Sequence, residues 1–337
     1  MKKTLIALAA LASTAAFAQS AVTISGTFDP SFVSQKDTYG DASSVTNNKL
    51  QNNRQGTSQV TFSGTEDLGG GLKAAFLLEN DFDATKDATS NLGSAGGELY
   101  AGLMGGFGSI KLGSPNTPSL TTQSAANPFG TKIGSGFGAM NTGHVRNNNT
   151  IVYATPAMNG FSAVAAYSNA AYSNAPNTTT ASITDIGFFY ANGPVAAGVS
   201  SYKVAAIGSG TSNTETNAYV TYDLGAAKIG AGYYTEKNGT AAGATTAVVS
   251  GATDSKAYNL SVAVPMGAVT LMANYGKKDD KATANNNRTV TAVGAKYALS
   301  KRTSVYARYV DDKIDGTVAA GSIAKSTYTL VGLQHNF

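Results

Sequence analysis

From residue 21 to the C-terminus the sequence repeats one device: an alternating segment, a tight turn, another alternating segment, and a long polar connection. Val22, Ile24, Gly26 and Phe28 alternate with Thr23, Ser25, Thr27 and Asp29. Tyr258, Leu260, Val262 and Val264 alternate with Asn259, Ser261 and Ala263. Period two marks a strand with one apolar and one polar face. The tight turns fall at Glu66–Gly71, Gly105–Gly106, Pro156–Gly160, Ala191–Pro194, Gly225, Pro265–Gly267 and Ser300–Arg302. The long connections cover 35–53, 84–96, 115–147, 168–182, 207–212, 238–253, 279–287 and 314–324. The pattern predicts sixteen strands, the first beginning near residue 21 and the last near residue 325. An even count returns both chain ends to the short-turn rim. Beyond the N-terminal leader, no stretch carries a helical period.

Tight turns on one rim and long loops on the other are the pattern of a transmembrane β-barrel. In lipid every backbone N–H and C=O needs a partner, and a closed sheet leaves no open edge. A soluble sandwich would need strong Leu, Ile and Val on one face for a packed core. Here one face is Thr, Ser, Asn, Gln and Gly, and the other is modest, with Ala, Val and Tyr. That combination suits water inside and lipid outside. Tyr153, Tyr190, Tyr222 and Tyr297 fall near strand ends, where an interfacial aromatic belt would place them. The fold class expected is therefore all-β, a 16-stranded antiparallel transmembrane barrel.

The leader and the composition narrow the function. Residues 1–18 read as a signal peptide, with Lys2 and Lys3, an apolar run, and Ala16-Phe17-Ala18 as the cleavage site. Residues 19–337 then form the barrel. The chain has no Cys and only His144 and His335, so thiolate and multi-His metal sites are excluded, and no cofactor is expected. A net charge of +4, thinly scattered, does not make a nucleic-acid surface. No apolar run approaches the length of a spanning helix. A hydrolase would need a base beside a nucleophile, and neither His has a Ser/Asp constellation near it in sequence. An adhesive barrel with a filled lumen would need a plug, and no plug segment precedes the first strand.

Four segments resemble the general porins of Gram-negative bacteria, in the branch typical of beta-proteobacteria. They are Gly64-Thr65-Glu66-Asp67-Leu68-Gly69-Gly70-Gly71-Leu72-Lys73-Ala74, Asn149–Tyr153 followed by Pro156 and Asn159-Gly160-Phe161, Tyr297–Thr303, and Val331–Phe337. The resemblance spans essentially the whole mature chain. It implies an outer-membrane location and a homotrimer of barrels, each with its own water-filled pore. It implies that the third long loop, 114–147, folds inward as the constriction loop. It implies that the terminal Phe337 is read by the barrel-assembly machinery. Basic wall residues frequent in that family are replaced here by Gln59, Ser63 and Val152, and Gly113-Ser114-Pro115 stands where Gly-Arg-Gln is common.

The expected function is passive diffusion of ions and small hydrophilic solutes, with a solute-specific channel as the alternative. The third loop carries Lys132, His144 and Arg146 and no acid. Strand parity turns Lys73, Glu79, Asp81, Lys111, Lys296 and Arg308 toward the lumen, with Asp29, Asp185 and Asp223. Lys111 and Asp223, close to short turns, read as ordinary solvated wall charges. Arg54 falls on lipid parity at a loop end, where snorkelling is cheap. Fixed loop cations without acids predict a weak anion preference.

Overall fold

The computed structural model describes residues 21–87, 96–135, 146–169, 181–205, 212–239, 253–281, 287–316 and 318–337. The leader at residues 1–18 and His144 lie outside them. The chain forms one closed antiparallel sheet of sixteen spans. Two spans are each broken into two hydrogen-bonded segments. β1 comprises Ala21–Phe28 and Pro30–Tyr39, and β2 comprises Ser44–Asn52 and Gln59–Gly69. Then follow β3 (Leu72–Asp81), β4 (Leu99–Gly105), β5 (Gly108–Ser114), the helix α1 (Pro118–Ala125), β6 (Thr150–Ala154), β7 (Phe161–Ser168) and β8 (Ile183–Asn192). The second half runs β9 (Val195–Val204), β10 (Asn213–Asp223), β11 (Lys228–Gly239), β12 (Thr253–Met266), β13 (Val269–Asp280), β14 (Asn287–Ala298), β15 (Thr303–Asp315) and β16 (Ile323–Asn336).

Closure joins β16 to β1. Leu330 pairs with Val33 and Val331 with Phe32, and Phe28 pairs with His335 lower down. Phe337 N–H donates to the Gly26 carbonyl at 3.0 Å, and Gly26 N–H returns a 3.2 Å bond. The two chain ends therefore meet on the short-turn rim. Along β15 the side chains of Ser304, Tyr306, Arg308 and Val310 are buried while Val305, Ala307 and Tyr309 are exposed, so parity sorts inside from outside.

Three local features differ from the expectation. The polar stretch 35–53 is a hairpin rather than a loop: Thr38 pairs with Ser44 and Pro30 with Asn52, leaving only 40–43 as the turn. Both faces of a strand that rises above the bilayer meet water, so it carries no apolar alternation. Second, β2 is interrupted at 53–58, where Asn53 takes φ +61°. The interruption resets the strand phase. Arg54 consequently turns away from lipid and approaches Tyr306, Tyr328 and Asp29 of the inner wall. Third, α1 exists within the third connection. Its eight residues are too few to print a helical period, but Thr117 caps it and Pro118 opens it.

The inner wall is also less polar than expected. Tyr234, Ala257, Met272, Val290, Ala292 and Val310 form an inward apolar pad on β11–β15. Phe129 from the third connection fills it.

Candidate functional site

The described part of the third connection lies against the inner wall, where polar wall residues satisfy its backbone at successive points. At its start, Ser119 N–H and Oγ–H donate to the two Asp185 carboxylate oxygens, each at 2.9 Å, and Ser119 Oγ lies 3.1 Å from Ser200 Oγ. The carboxylate thus sits at the N-terminus of α1, where the helix dipole favours negative charge. At the helix end, Asn259 Nδ2 and Ser261 Oγ donate to the Ala126 carbonyl at 3.0 and 2.7 Å. Asn274 Nδ2 then donates to the Gly134 carbonyl at 3.2 Å, and Asn127 Nδ2 donates to Asn274 Oδ1 at 3.1 Å. Between these anchors Phe129 drops onto the apolar pad.

Beyond the pad the connection meets the interruption of β2. Lys132 Nζ donates to Thr57 Oγ1 at 2.7 Å. Arg308 donates to the carbonyls of Arg54 (2.9 Å) and Ile133 and to Gln55 Oε1 (2.6 Å), with its guanidinium 4.1 Å from the Phe129 ring centroid. Asp29 holds the interruption in shape. Its fully buried carboxylate accepts Gln55 N–H at 2.7 Å, Gly56 N–H at 2.8 Å and Tyr306 O–H at 2.6 Å. Sequence parity placed Asp29 inside but gave no sign of this bracing role.

The end of the connection returns beside β3. Arg146 donates to Asn116 Oδ1 at 3.0 Å and to the Gly96 carbonyl, and it faces Asp81 at 3.9 Å. Glu79 accepts Gln59 Nε2 at 2.6 Å and Glu98 N–H at 3.3 Å. Lys132 lies within electrostatic reach of Asp29, Asp81, Arg146 and Arg54. Burial pushes the Lys132 ammonium below the ordinary lysine range, and the two Asp residues oppose that shift.

The expected residues therefore divide. Lys132, Arg146, Glu79 and Asp81 stand within electrostatic reach of one another in one zone, and Arg54 joins them against expectation. Arg308 reaches the same zone but is only 3% exposed. It clamps the loop to the wall and is a correction to the expectation of a water-facing charge. Lys73, paired in register with Asp67 and Met104, stays toward the short-turn rim. Lys296, opposite Thr270 and Tyr306, also sits below the zone. Lys111 is held by Glu98 at 3.7 Å and lies over Tyr100. His335, exposed at the rim, bonds Thr303 Oγ1 at 2.9 Å. Among the described residues no group of His and acid side chains could hold a metal ion.

Comparison with known proteins agrees with this architecture. Residues 4–317 match the Gram-negative porin family. The chain is 33% identical to outer membrane porin protein 32 of Delftia acidovorans over the full length of both. In structure it resembles the anion-selective porin from Comamonas acidovorans, with a TM-score of 0.77, 24% identity, and coverage of 95% of this chain and 100% of that one. It also resembles the trimer form of Vibrio cholerae OmpT, with a TM-score of 0.68, 14% identity, and coverage of 94% and 99%.

Proposed function

We propose that this chain, which belongs to the Gram-negative porin family and forms an outer-membrane channel for passive diffusion, favours small anionic solutes at a constriction built by the 114–147 connection. The observation that supports this reading is the Lys132–Thr57 contact, which sets a loop cation against the inward 53–58 turn of β2. Arg146 and Arg54 stand around the same zone, so three cations meet the acids there. Of those acids, Asp29 is consumed by three donors, and Glu79 is tied to Gln59 and to the Glu98 backbone. Asp81 remains opposite Arg146. Hydrogen bonds from neutral donors leave these carboxylates charged, so with the clamping Arg308 four cations face three acids, and the net cationic character is a single charge and weak. A fixed charge in a narrow pore with a low-dielectric wall concentrates counter-ions. Screening over about 8 Å at physiological salt confines the effect to this zone. Lys73 and Lys296 contribute little for that reason.

The chain works as a homotrimer in this reading. The named trimer of Vibrio cholerae OmpT shares the fold. The outer face of β1–β6 presents exposed Val22, Ile24, Phe62, Phe76, Leu99 and Ile151. Toward the long-loop rim that sector carries no outward charge from β3 to β6, which suits a buried subunit contact. The short-turn rim faces the periplasm and the long loops face outward. Phe337 serves as the signal for barrel assembly.

Planar-bilayer recording tests the pore. A large ohmic conductance and a reversal potential displaced toward the anion equilibrium under a KCl gradient are expected. A cation-displaced potential would overturn the anion preference, and saturation by one solute would favour a solute-specific channel.

A further inference from the structure

An aromatic ring on the inner wall of a water-filled pore interrupts a polar lining, and below the surface hairpin most such rings are engaged. Tyr202, Tyr234 and Tyr306 are buried and donate to Asn147 Oδ1, Glu236 Oε2 and Asp29 Oδ1 at 2.9, 2.9 and 2.6 Å. Tyr100 lies beneath the Lys111 ammonium, which is 4.1 Å from its ring centroid. Tyr328 packs against the apolar pad. That leaves Phe189 on β8 and Tyr219 on β10. Strand parity turns both inward, since Asp185 and Gly187 on β8 and Asn217 and Thr221 on β10 are buried on the same face. Both rings are half-buried. Neither has a ring, cation or hydrogen-bond partner among the described residues.

The two rings share one seat. Phe189, Gly198, Tyr219 and Gly232 stand opposite one another across β8, β9, β10 and β11. A Cβ at Gly198 would lie 2.6 Å from Tyr219 Cε1 and 2.7 Å from Phe189 Cδ1. The rings therefore lean toward each other over a position that has no side chain. A Cβ at Gly187 would meet Pro118 Cβ at 2.7 Å and the Phe189 ring at 2.8 Å, so this shelf begins beside the first residue of α1. At about 3.3 Å per residue, Phe189 lies roughly 13 Å beyond Asp185, the anchor of α1, toward the short-turn rim. Covering a strand glycine with a cross-strand ring supports the sheet in itself. That uses one side of each ring, and their half-exposure leaves the rest to the lumen. Charge is balanced nearby, because Asp223 and Lys228 stand opposite each other at the rim below.

We propose that Phe189 and Tyr219 form a binding shelf, on the short-turn side of α1, for the planar ring of an aromatic carboxylate. The inference rests on the anion preference proposed above, which sets the charge of the solutes that arrive. The shelf then favours those that carry an aromatic ring. Aromatic rings in offset or edge-to-face contact attract each other beyond the area they bury. A saturated ring of the same charge and similar size buries the area but lacks that added attraction. The expected discrimination between the two is about three-fold or more.

Saturation-transfer NMR of the folded full-length mature chain in deuterated detergent tests this. Benzoate is the probe, cyclohexanecarboxylate is the saturated comparison, and empty micelles supply the background. The wild type is expected to bind benzoate at least about three-fold more tightly. The Phe189→Leu, Tyr219→Leu double variant is expected to lose that preference while keeping heat-modifiable mobility and the wild-type reversal potential in KCl. Tyr219→Phe keeps both rings and is expected to keep the preference. Should the double variant not fold, each single Leu variant is expected to show a reduced preference. Equal affinities in the wild type would overturn the proposal, as would an undiminished preference in the Leu variants. A preference that vanishes in Arg54→Gln and survives in the Leu variants would seat the ring against the loop cations and equally overturn it. The two probes carry the same charge, so a cation-displaced potential in KCl would sink the anion reading without deciding this comparison, and the two tests fail separately.

Discussion

Arg308 stacks on Phe129, its guanidinium 4.1 Å from the ring centroid, while the same group donates to the Ile133 carbonyl. One wall side chain therefore holds the third connection by both a ring and a backbone carbonyl. The desolvated cation–π contact and the buried ring together fix the loop against β14 and β15.

Removing the ring should loosen the loop without opening the sheet. Phe129→Ala deletes a fully buried aromatic, worth about 3 kcal/mol in a well-packed site. The barrel wall does not depend on that contact, so heat-modifiable mobility should persist. Single-channel records should show larger mean conductance and more frequent fluctuations. A quiet, wild-type current would mean that the polar anchors at Asp185 and Asn259 hold the loop alone.

Charge reversal at the loop should invert selectivity. Lys132→Glu and Arg146→Glu each replace a cation facing Asp81 by an acid. Each should move the anion-to-cation permeability ratio by a factor of about two or more, with a larger shift at low salt. Lys73→Gln and Lys296→Gln should shift it far less, because those residues lie toward the short-turn rim. Reversal potentials of the four variants under one KCl gradient make the comparison.

Anion preference should also fall with rising pH, and earlier than an exposed lysine would allow. Burial lowers the Lys132 pKa, so its charge is lost below the ordinary lysine value of about 10.4. The folded chain releases that proton before the unfolded chain does. The contribution of Lys132 to selectivity is therefore present at neutral pH and lost as pH rises through the folded pKa. Lys132→Arg keeps its charge throughout and should flatten the profile. Matching pH profiles for the wild type and Lys132→Arg would show that another group carries the dependence.

Most strands were legible because lipid enforces alternation on one face and water on the other. β12 and β13 show it residue by residue, and their turn at Gly267 is read as easily. The failures occur where that rule lapses. Ser44–Asn52 forms a strand although it alternates nothing, since its pairing with β1 rises above the bilayer. Arg54 was misplaced because parity cannot be carried across the 53–58 interruption. Phe129 was passed over because Val290, Ala292 and Val310 look like any inward residues until a loop ring is seen to cover them. Lys132 and Arg146 were singled out by the third loop's composition and Glu79 and Asp81 by strand parity, but only folding brings Thr57 to Lys132.

Asp29 should prove a positioning residue for the constriction. Asp29→Ala leaves Gln55 N–H, Gly56 N–H and Tyr306 O–H without their acceptor. Hydrogen bonds to a charged group contribute about 1.5–3 kcal/mol each, so the 53–58 turn should not keep its shape. Arg54 and the Arg308 clamp would then shift together. The expected result is a lower temperature of mobility change in detergent gels and a reduced anion preference in the same variant. Lower stability with unaltered reversal potential would confine Asp29 to a structural role.

The seam between chain ends gives the last prediction. The Phe337 ring lies against Gly26 on the outer face, and it meets Phe28 with ring centroids 6.0 Å apart. A Cβ at Gly26 would overlap both that ring and the Gln59 carbonyl, and the carbonyl is backbone that does not move aside cheaply. Deleting Phe337 removes those bonds and the last closing contact, and Gly26→Val evicts the ring while leaving Phe337 in the sequence. If Phe337 acts as a recognition signal for the assembly machinery, deletion should lower the yield of folded barrel in cells far more than in refolding from urea into detergent. Gly26→Val should impair both settings alike, because it damages the closed seam and not the signal. Measuring heat-modifiable barrel for both variants in both settings separates the two contributions. Equal losses for the deletion in cells and in detergent would show that Phe337 acts through the seam alone.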